Sequence, residues 1–132
     1  MKQLHFQPIQ GKGIEIIQTI TQIEEVVSLD QDMWRIICVV VEELVLNIVS
    51  YSGSDYIDVE IQYEKDCFTM RFRDGGAPFN PLKSEQPDVT LPIEQRQVGG
   101  LGIFMVIYMM DTVEYEYVNG ENVLTTTLHH KK

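Results

Sequence analysis

Basic side chains are scarce in this chain. Ten Lys and Arg stand against 20 Asp and Glu, a formal net charge of -10. A nucleic-acid surface needs clustered Lys and Arg to neutralise phosphates, so this balance argues against one. Cysteine is scarce too. Cys38 and Cys67 alone do not make a disulfide framework, and a reduced, cytoplasmic setting is expected. Long apolar runs are missing: no stretch approaches the ~20 residues that span a bilayer. The longest run, 103–110, fits a buried helix. The opening MKQLHFQPIQ has no apolar core of the kind a signal peptide needs. There is no linker and no internal repeat. The ending His129-His130-Lys131-Lys132 has too few ligands for a fixed metal site and reads as a solvated end. What remains is 132 residues, 44% hydrophobic and 23% charged, the composition of one ordinary globular domain with its own core.

The hydrophobic pattern places the elements. Leu4 and Phe6 alternate with polar neighbours and predict a short first strand. Ile16, Ile17, Ile20, Ile23 and Val27 have helical spacing across 14–27. Asp30 or Asp32 is a candidate cap for a helix over about 31–49. Its core stripe reads as Trp34, Ile37, Cys38, Val41, Leu44, Val45 and Ile48. Ser52-Gly53-Ser54-Asp55 breaks the chain. Ile57, Val59, Ile61 and Tyr63 then alternate with polar residues, as do Phe68, Met70 and Phe72, with a hairpin turn at 64–66. Val113, Tyr115 and Tyr117 begin another alternating stretch, which turns at Asn119-Gly120 and continues through Leu124, Thr126 and Leu128. Strict alternation means one wet and one dry face. An antiparallel or mixed sheet with helices on a single face follows, a two-layer α/β sandwich. The segment 81–98 holds three prolines and no period, which in a small domain marks a lid, a binding loop or disorder.

Three clusters carry chemistry. Glu43 and Asn47 stand one turn apart on a helix that is otherwise apolar nearly all round, with Ile36, Val39, Val40 and Leu46 on their side. Alone, such a pair reads most simply as buried groups bonded to backbone. Glu42 points about 100° away and reads as a solvated or helix-edge residue. Asp74-Gly75-Gly76-Ala77-Pro78-Phe79-Asn80-Pro81 follows a strand. A simple Asp-Gly turn would not need the Pro-Phe-Asn-Pro continuation. Gly99-Gly100-Leu101-Gly102 precedes an apolar helix, where backbone N–H groups face an anion. Each pattern is weak alone. In this order they read as a nucleotide site.

These residues resemble the Bergerat-fold ATPases, which include histidine kinases, gyrase and the bacterial anti-sigma-factor serine kinases. Val41-Glu42-Glu43-Leu44-Val45-Leu46-Asn47 resembles the family's first box, Asp74-x-Gly76-x-Pro78-Phe79 the second and Gly100-Leu101-Gly102 the third. Met110-Asp111, Tyr115 and Asn122-Val123-Leu124 resemble the tail of the stand-alone anti-sigma branch. The resemblance implies a mixed, mostly antiparallel sheet with helices on one face, and an ATP lid at 81–98. It implies ATP and Mg²⁺ as cofactors, with Asn47 as the metal ligand and Glu43 as the base for a serine hydroxyl. Asp74 would accept from the adenine amino group. Gly76 would let the purine approach, in a box where Pro78 replaces a further glycine. Gly100, Leu101 and Gly102 would meet phosphate. The kinase branch often carries an Arg before the last glycine cluster. Arg96 is the nearest basic residue here and joins the nucleotide-binding set. Tyr51 stands where the kinases often have His. The implied function is a serine kinase that sequesters a sigma factor and phosphorylates an anti-anti-sigma antagonist, often as a homodimer. Two alternatives stay open: an ATP-dependent binding module without transfer, and an inactive fold used for protein contacts.

Overall fold

The computed structural model describes residues 1–83 and 100–131. The element order is β1 (Lys2–Phe6), α1 (Gly13–Thr21), α2 (Glu24–Val27), α3 (Gln31–Tyr51), β2 (Ile57–Glu64), β3 (Cys67–Asp74), α4 (Gly100–Met109), β4 (Thr112–Val118) and β5 (Glu121–His129). A single 3-10 turn at Pro81–Lys83 follows β3. The strands form one sheet in the order β1-β2-β3-β5-β4, and all four pairings are antiparallel. The inward residues of β2, β3 and β5 join those of α1, α3 and α4 in one apolar core. The opposite face of the sheet is polar. There Glu60 of β2 pairs with Arg73 and, at 3.6 Å, with Arg71.

Local chemistry explains most of the boundaries. Asp30 caps α3, its Oδ1 accepting the Met33 N–H at 3.0 Å. The helix stops at Gly53, whose φ of +72° is the left-handed conformation that ends helices. Lys65 and Asp66 (φ 54° and 62°) turn the β2–β3 hairpin, and Asn119 and Gly120 (52° and 78°) turn the β4–β5 hairpin. Two positive φ values in succession match the right-handed twist of the strands they join.

Three details depart from the sequence pattern. The helical spacing over 14–27 is split: α1 ends at Thr21, and Ile23 is extended before the short α2 begins. Thr19 and Thr21 turn their hydroxyls back onto the carbonyls of Glu15 and Ile17, both at 2.9 Å, a competition that weakens the end of a helix. The buried stripe of α3 is Met33, Ile37, Val40, Val41, Leu44 and Val45, while Trp34 is 38% exposed. Both α1 and α4 pack against α3, so its flanks are covered as well as the side toward the sheet. That is why the helix is apolar nearly all round. Finally, His129 and Lys131 are exposed, as a solvated end predicts, but residues 129–131 also find acidic partners that the pattern does not report. Asp111 takes the His129 N–H and the Lys131 ammonium, the latter at 3.0 Å, and His130 meets Asp30 at 2.9 Å. The His129 N–H, and then Lys131, hold the Asp111 carboxyl down to about 2. No helix among the described residues is long and apolar enough to cross a membrane.

Candidate functional site

The end of β3, the end of α3 and the start of β5 meet at Asp74. This carboxylate is only 4% exposed. Its Oδ1 accepts the Gly76 N–H and the Asn122 side-chain amide, both at 3.0 Å, and the Ser52 hydroxyl bonds to it as well. Burial pushes its pKa up, and the bonds from Asn122, Gly76 and Ser52 pull it back. The donors fix the orientation of this buried acceptor.

The loop after Asp74 is fastened to the segment after α3. Ser54 Oγ accepts the Gly75 N–H at 2.9 Å, and Ser52 Oγ accepts the Ser54 N–H at 3.0 Å. The glycines make the approach possible. A Cβ on Gly76 would lie 2.0 Å from the carbonyl oxygen of Ser52, and one on Gly75 would lie 2.8 Å from the ring of Tyr56. Tyr56 in turn donates to Glu121 at 2.6 Å, and this bond holds its phenol up at about 12. The demand for glycine at 76 thus comes from packing against helix-end backbone, whatever ligand sits nearby.

Asn122 joins the parts. Its Nδ2 donates to Asp74 and, at 2.9 Å, to the carbonyl of Ala77. Its Oδ1 accepts the Phe79 N–H at 2.9 Å and the Tyr115 hydroxyl at 2.5 Å. The register explains its position, since Asn122 is the Cα partner of Asp74 across β3 and β5. The sequence reading assigned Asn122 no role. A signal was available: Leu124, Thr126 and Leu128 alternate inward, which places Asn122 on the same dry face. Ser52, Ser54 and Tyr56 were also missed, because their partners lie across turns that no periodicity reports.

A cavity of about 30 Å³ lies in front of Asp74, lined by Asn47 of α3, Ser52 just after that helix, Phe79, Tyr115 and Asn122 among others. Asn47 and Asp74, far apart in sequence, share this cavity. Glu43 lies one turn before Asn47 and is half-buried. Its carboxylate reaches the first turn of α4, where a Cβ on Gly102 would lie 2.1 Å from Glu43 Oε2. Burial, and then the neighbouring charge of Glu42, raises the Glu43 pKa. Gly100, Leu101 and Gly102 open α4, as the glycine cluster predicts. Pro78 is exposed on the loop between Ala77 and Phe79. Arg96, Gly99 and most of the expected lid, residues 84–98, lie outside the described residues. The described residues contain no group of three or more His, Cys, Asp or Glu able to hold a metal.

The two-layer sandwich thus holds a buried carboxylate after a central strand, with an Asn on the facing helix. The profile of the histidine kinase-like ATPase domain matches residues 7–128. The chain belongs to that family. It is similar to the serine-protein kinase RsbW of Listeria monocytogenes serovar 1/2a, 29% identical over 102 residues that cover 71% of this chain and 65% of that protein. It is also similar to the serine/threonine-protein kinase BtrW of Bordetella bronchiseptica, 25% identical over 92 residues, 67% of this chain and 65% of that one. The matches therefore span about 65% of the length of these relatives. Among solved structures, the Acinetobacter baumannii histidine kinase AdeS superposes with a TM-score of 0.56 over 100% of this chain and 69% of that chain. Its identity is 13%, so this likeness concerns the fold alone.

Proposed function

We propose that this chain is an ATP- and Mg²⁺-dependent serine kinase of the anti-sigma type, which holds a sigma factor and phosphorylates an anti-anti-sigma antagonist. The observation that carries the reading is the cavity shared by Asn47 and Asp74, with Glu43 one helical turn away against the start of α4. The names of the similar proteins, serine-protein kinase and serine/threonine-protein kinase, support a hydroxyl acceptor.

The residues divide the work. Asp74 accepts a hydrogen bond from the exocyclic amine of adenine. Guanine offers a carbonyl at that place and would set acceptor against acceptor. The first turn of α4 presents N–H groups to phosphate oxygens. Asn47 offers an amide oxygen, a hard donor suited to Mg²⁺, which characteristically takes one or two protein ligands and completes its shell with phosphate and water. When bound, that ion neutralises phosphate charge. Glu43, its pKa raised by burial and by Glu42, takes the proton of a serine hydroxyl as the oxygen attacks the γ-phosphorus. The bond from the γ-phosphorus to the bridging oxygen breaks and ADP leaves. Positioning and charge neutralisation supply most of the rate in such transfers. The acidic surface, net -10, favours protein partners with basic patches.

Calorimetry with ATP, ADP and GTP, with and without Mg²⁺, tests the nucleotide half of this reading. Adenine nucleotides are expected to bind, with Mg²⁺ strengthening ATP. GTP is expected to be roughly 10- to 100-fold weaker, the worth of a buried acceptor left unpaired. No heat at millimolar nucleotide would overturn the reading. A preference for GTP would remove Asp74 from its role.

A further inference from the structure

The cavity beside Asp74 is too small for the base it is proposed to receive. Its volume is about 30 Å³, close to the share of one water molecule, whereas pockets for small organic ligands run to roughly 300 Å³ and above. A wall must move before a purine enters. Three walls are fixed by the core: Leu44 of α3, Phe72 of β3 and Leu124 of β5 are 2%, 1% and 7% exposed. The loop carrying Phe79 also lines the cavity, and unlike those core residues Phe79 is 42% exposed and belongs to no helix or strand.

That loop is anchored at its start through the Gly75 and Gly76 N–H groups and the Ala77 carbonyl, and further along at the Phe79 N–H. The Phe79 N–H is shared between Asn122 Oδ1 at 2.9 Å and the Tyr115 hydroxyl at 3.2 Å, and the same hydroxyl donates to Asn122 Oδ1 at 2.5 Å. Tyr115 reaches this point from the edge strand β4, and Asn122 from β5 beside it. The three groups close a ring of hydrogen bonds among residues that line the cavity. Among the described residues the Tyr115 hydroxyl bonds to the Phe79 N–H and to Asn122 Oδ1, both within this ring. Asn122 has a second duty, since its amide nitrogen holds Asp74 and Ala77.

We propose that Tyr115 and Asn122 form a latch on the nucleotide site, holding the Phe79 backbone over the Asp74 cavity, and that a base enters only when the Phe79 N–H is released. The inference rests on the nucleotide reading given above and adds to it a regulatory element. Any protein that competes for the β4 edge near Tyr115 would then change nucleotide affinity without touching nucleotide. The latch lowers apparent affinity by the fraction of molecules that are open. Loss of the Tyr115 hydroxyl removes two of the ring's three bonds but only one of the two that bond the Phe79 N–H, which keeps Asn122, so the open fraction shifts by about the worth of a single hydrogen bond.

The test compares the wild-type chain with Tyr115→Phe, which keeps the ring and its packing but loses the hydroxyl. Two quantities are measured: amide hydrogen exchange at Phe79 without ligand, and ADP affinity by calorimetry. Exchange at Phe79 is expected to rise, and ADP is expected to bind roughly three- to tenfold more tightly. Melting temperatures are recorded so that a general loosening is recognised by faster exchange throughout the sheet, which would overturn a local latch. Unchanged exchange at Phe79 would also overturn it. Faster exchange with level or weaker ADP binding would overturn its control of the cavity. If neither protein binds ADP, the nucleotide reading itself falls, and the proposal falls with it.

Discussion

Glu43→Gln is expected to bind ATP as the wild type does and to lose phosphoryl transfer by roughly 10²–10⁴-fold, the usual worth of a positioned base. The substitution keeps size and hydrogen-bonding capacity and removes only the proton acceptor. Adenine and phosphate contacts are assigned elsewhere, to Asp74 and the start of α4, so affinity should survive. Asn47→Ala, one turn further on, should behave differently. It removes an oxygen ligand, so Mg²⁺-dependent affinity and transfer should fall together, while Mg²⁺-free ADP binding changes less. The two residues share a helix packed on both flanks, and damage to that helix would mimic both effects. Circular dichroism and melting temperature must therefore match before rates are compared. Transfer by Glu43→Gln at the wild-type rate would take the base role away from Glu43.

A second large effect is expected at Gly76. An added Cβ would sit 2.0 Å from the Ser52 carbonyl oxygen, and backbone cannot turn aside as a side chain can. Gly76→Ala should cost about 3 kcal/mol, the upper part of the usual range for overpacking. For a domain of this size that lowers the melting temperature by roughly 10 °C. Gly102→Ala makes the instructive contrast. Its Cβ would meet the carboxylate of Glu43 at 2.1 Å, the movable end of a flexible side chain. Glu43 can swing away, and alanine favours a helix over glycine by about 1 kcal/mol. Gly102→Ala should therefore melt within a few degrees of wild type, yet transfer poorly because its base is displaced. Thermal melts and transfer rates on the two variants check both halves. Equal melting of Gly76→Ala and wild type would contradict the close approach of the loop to the end of α3.

These contrasts show where sequence patterns are informative. Alternation in β2, β3 and β5 is a strong signal, because each strand has one face in the core and one in water. The Asp30 cap and the Asn119-Gly120 turn are local chemistry and are equally legible. The stripe of α3 is not, because a wheel finds one dry face while this helix is covered on three sides, which moves Trp34 outward and brings Val40 inward. The role of Asn122 depends on β5 pairing with β3, a register set by contacts distant in sequence. Motif order brought Asn47 and Asp74 forward as partners, and the shared cavity agrees with that pairing. It could not report that Gly76 packs on Ser52, since a glycine needed for backbone approach and one needed for ligand approach look alike in a sequence. The acidic partners of His129 and His130 are not legible in the sequence for a related reason: Asp111 and Asp30 are brought to that solvated segment only by the fold.

The central claim is transfer of a phosphoryl group to a protein serine, and one measurement addresses it directly. The purified chain is incubated with Mg²⁺ and γ-labelled ATP together with a serine-bearing antagonist protein encoded beside it, and label on the antagonist is followed over time. The account predicts label on a single serine of the antagonist, dependent on Mg²⁺ and on Glu43. Nucleotide and sigma-factor binding with no label on any protein would contradict it, and would leave an ATP-dependent binding module in place of a kinase.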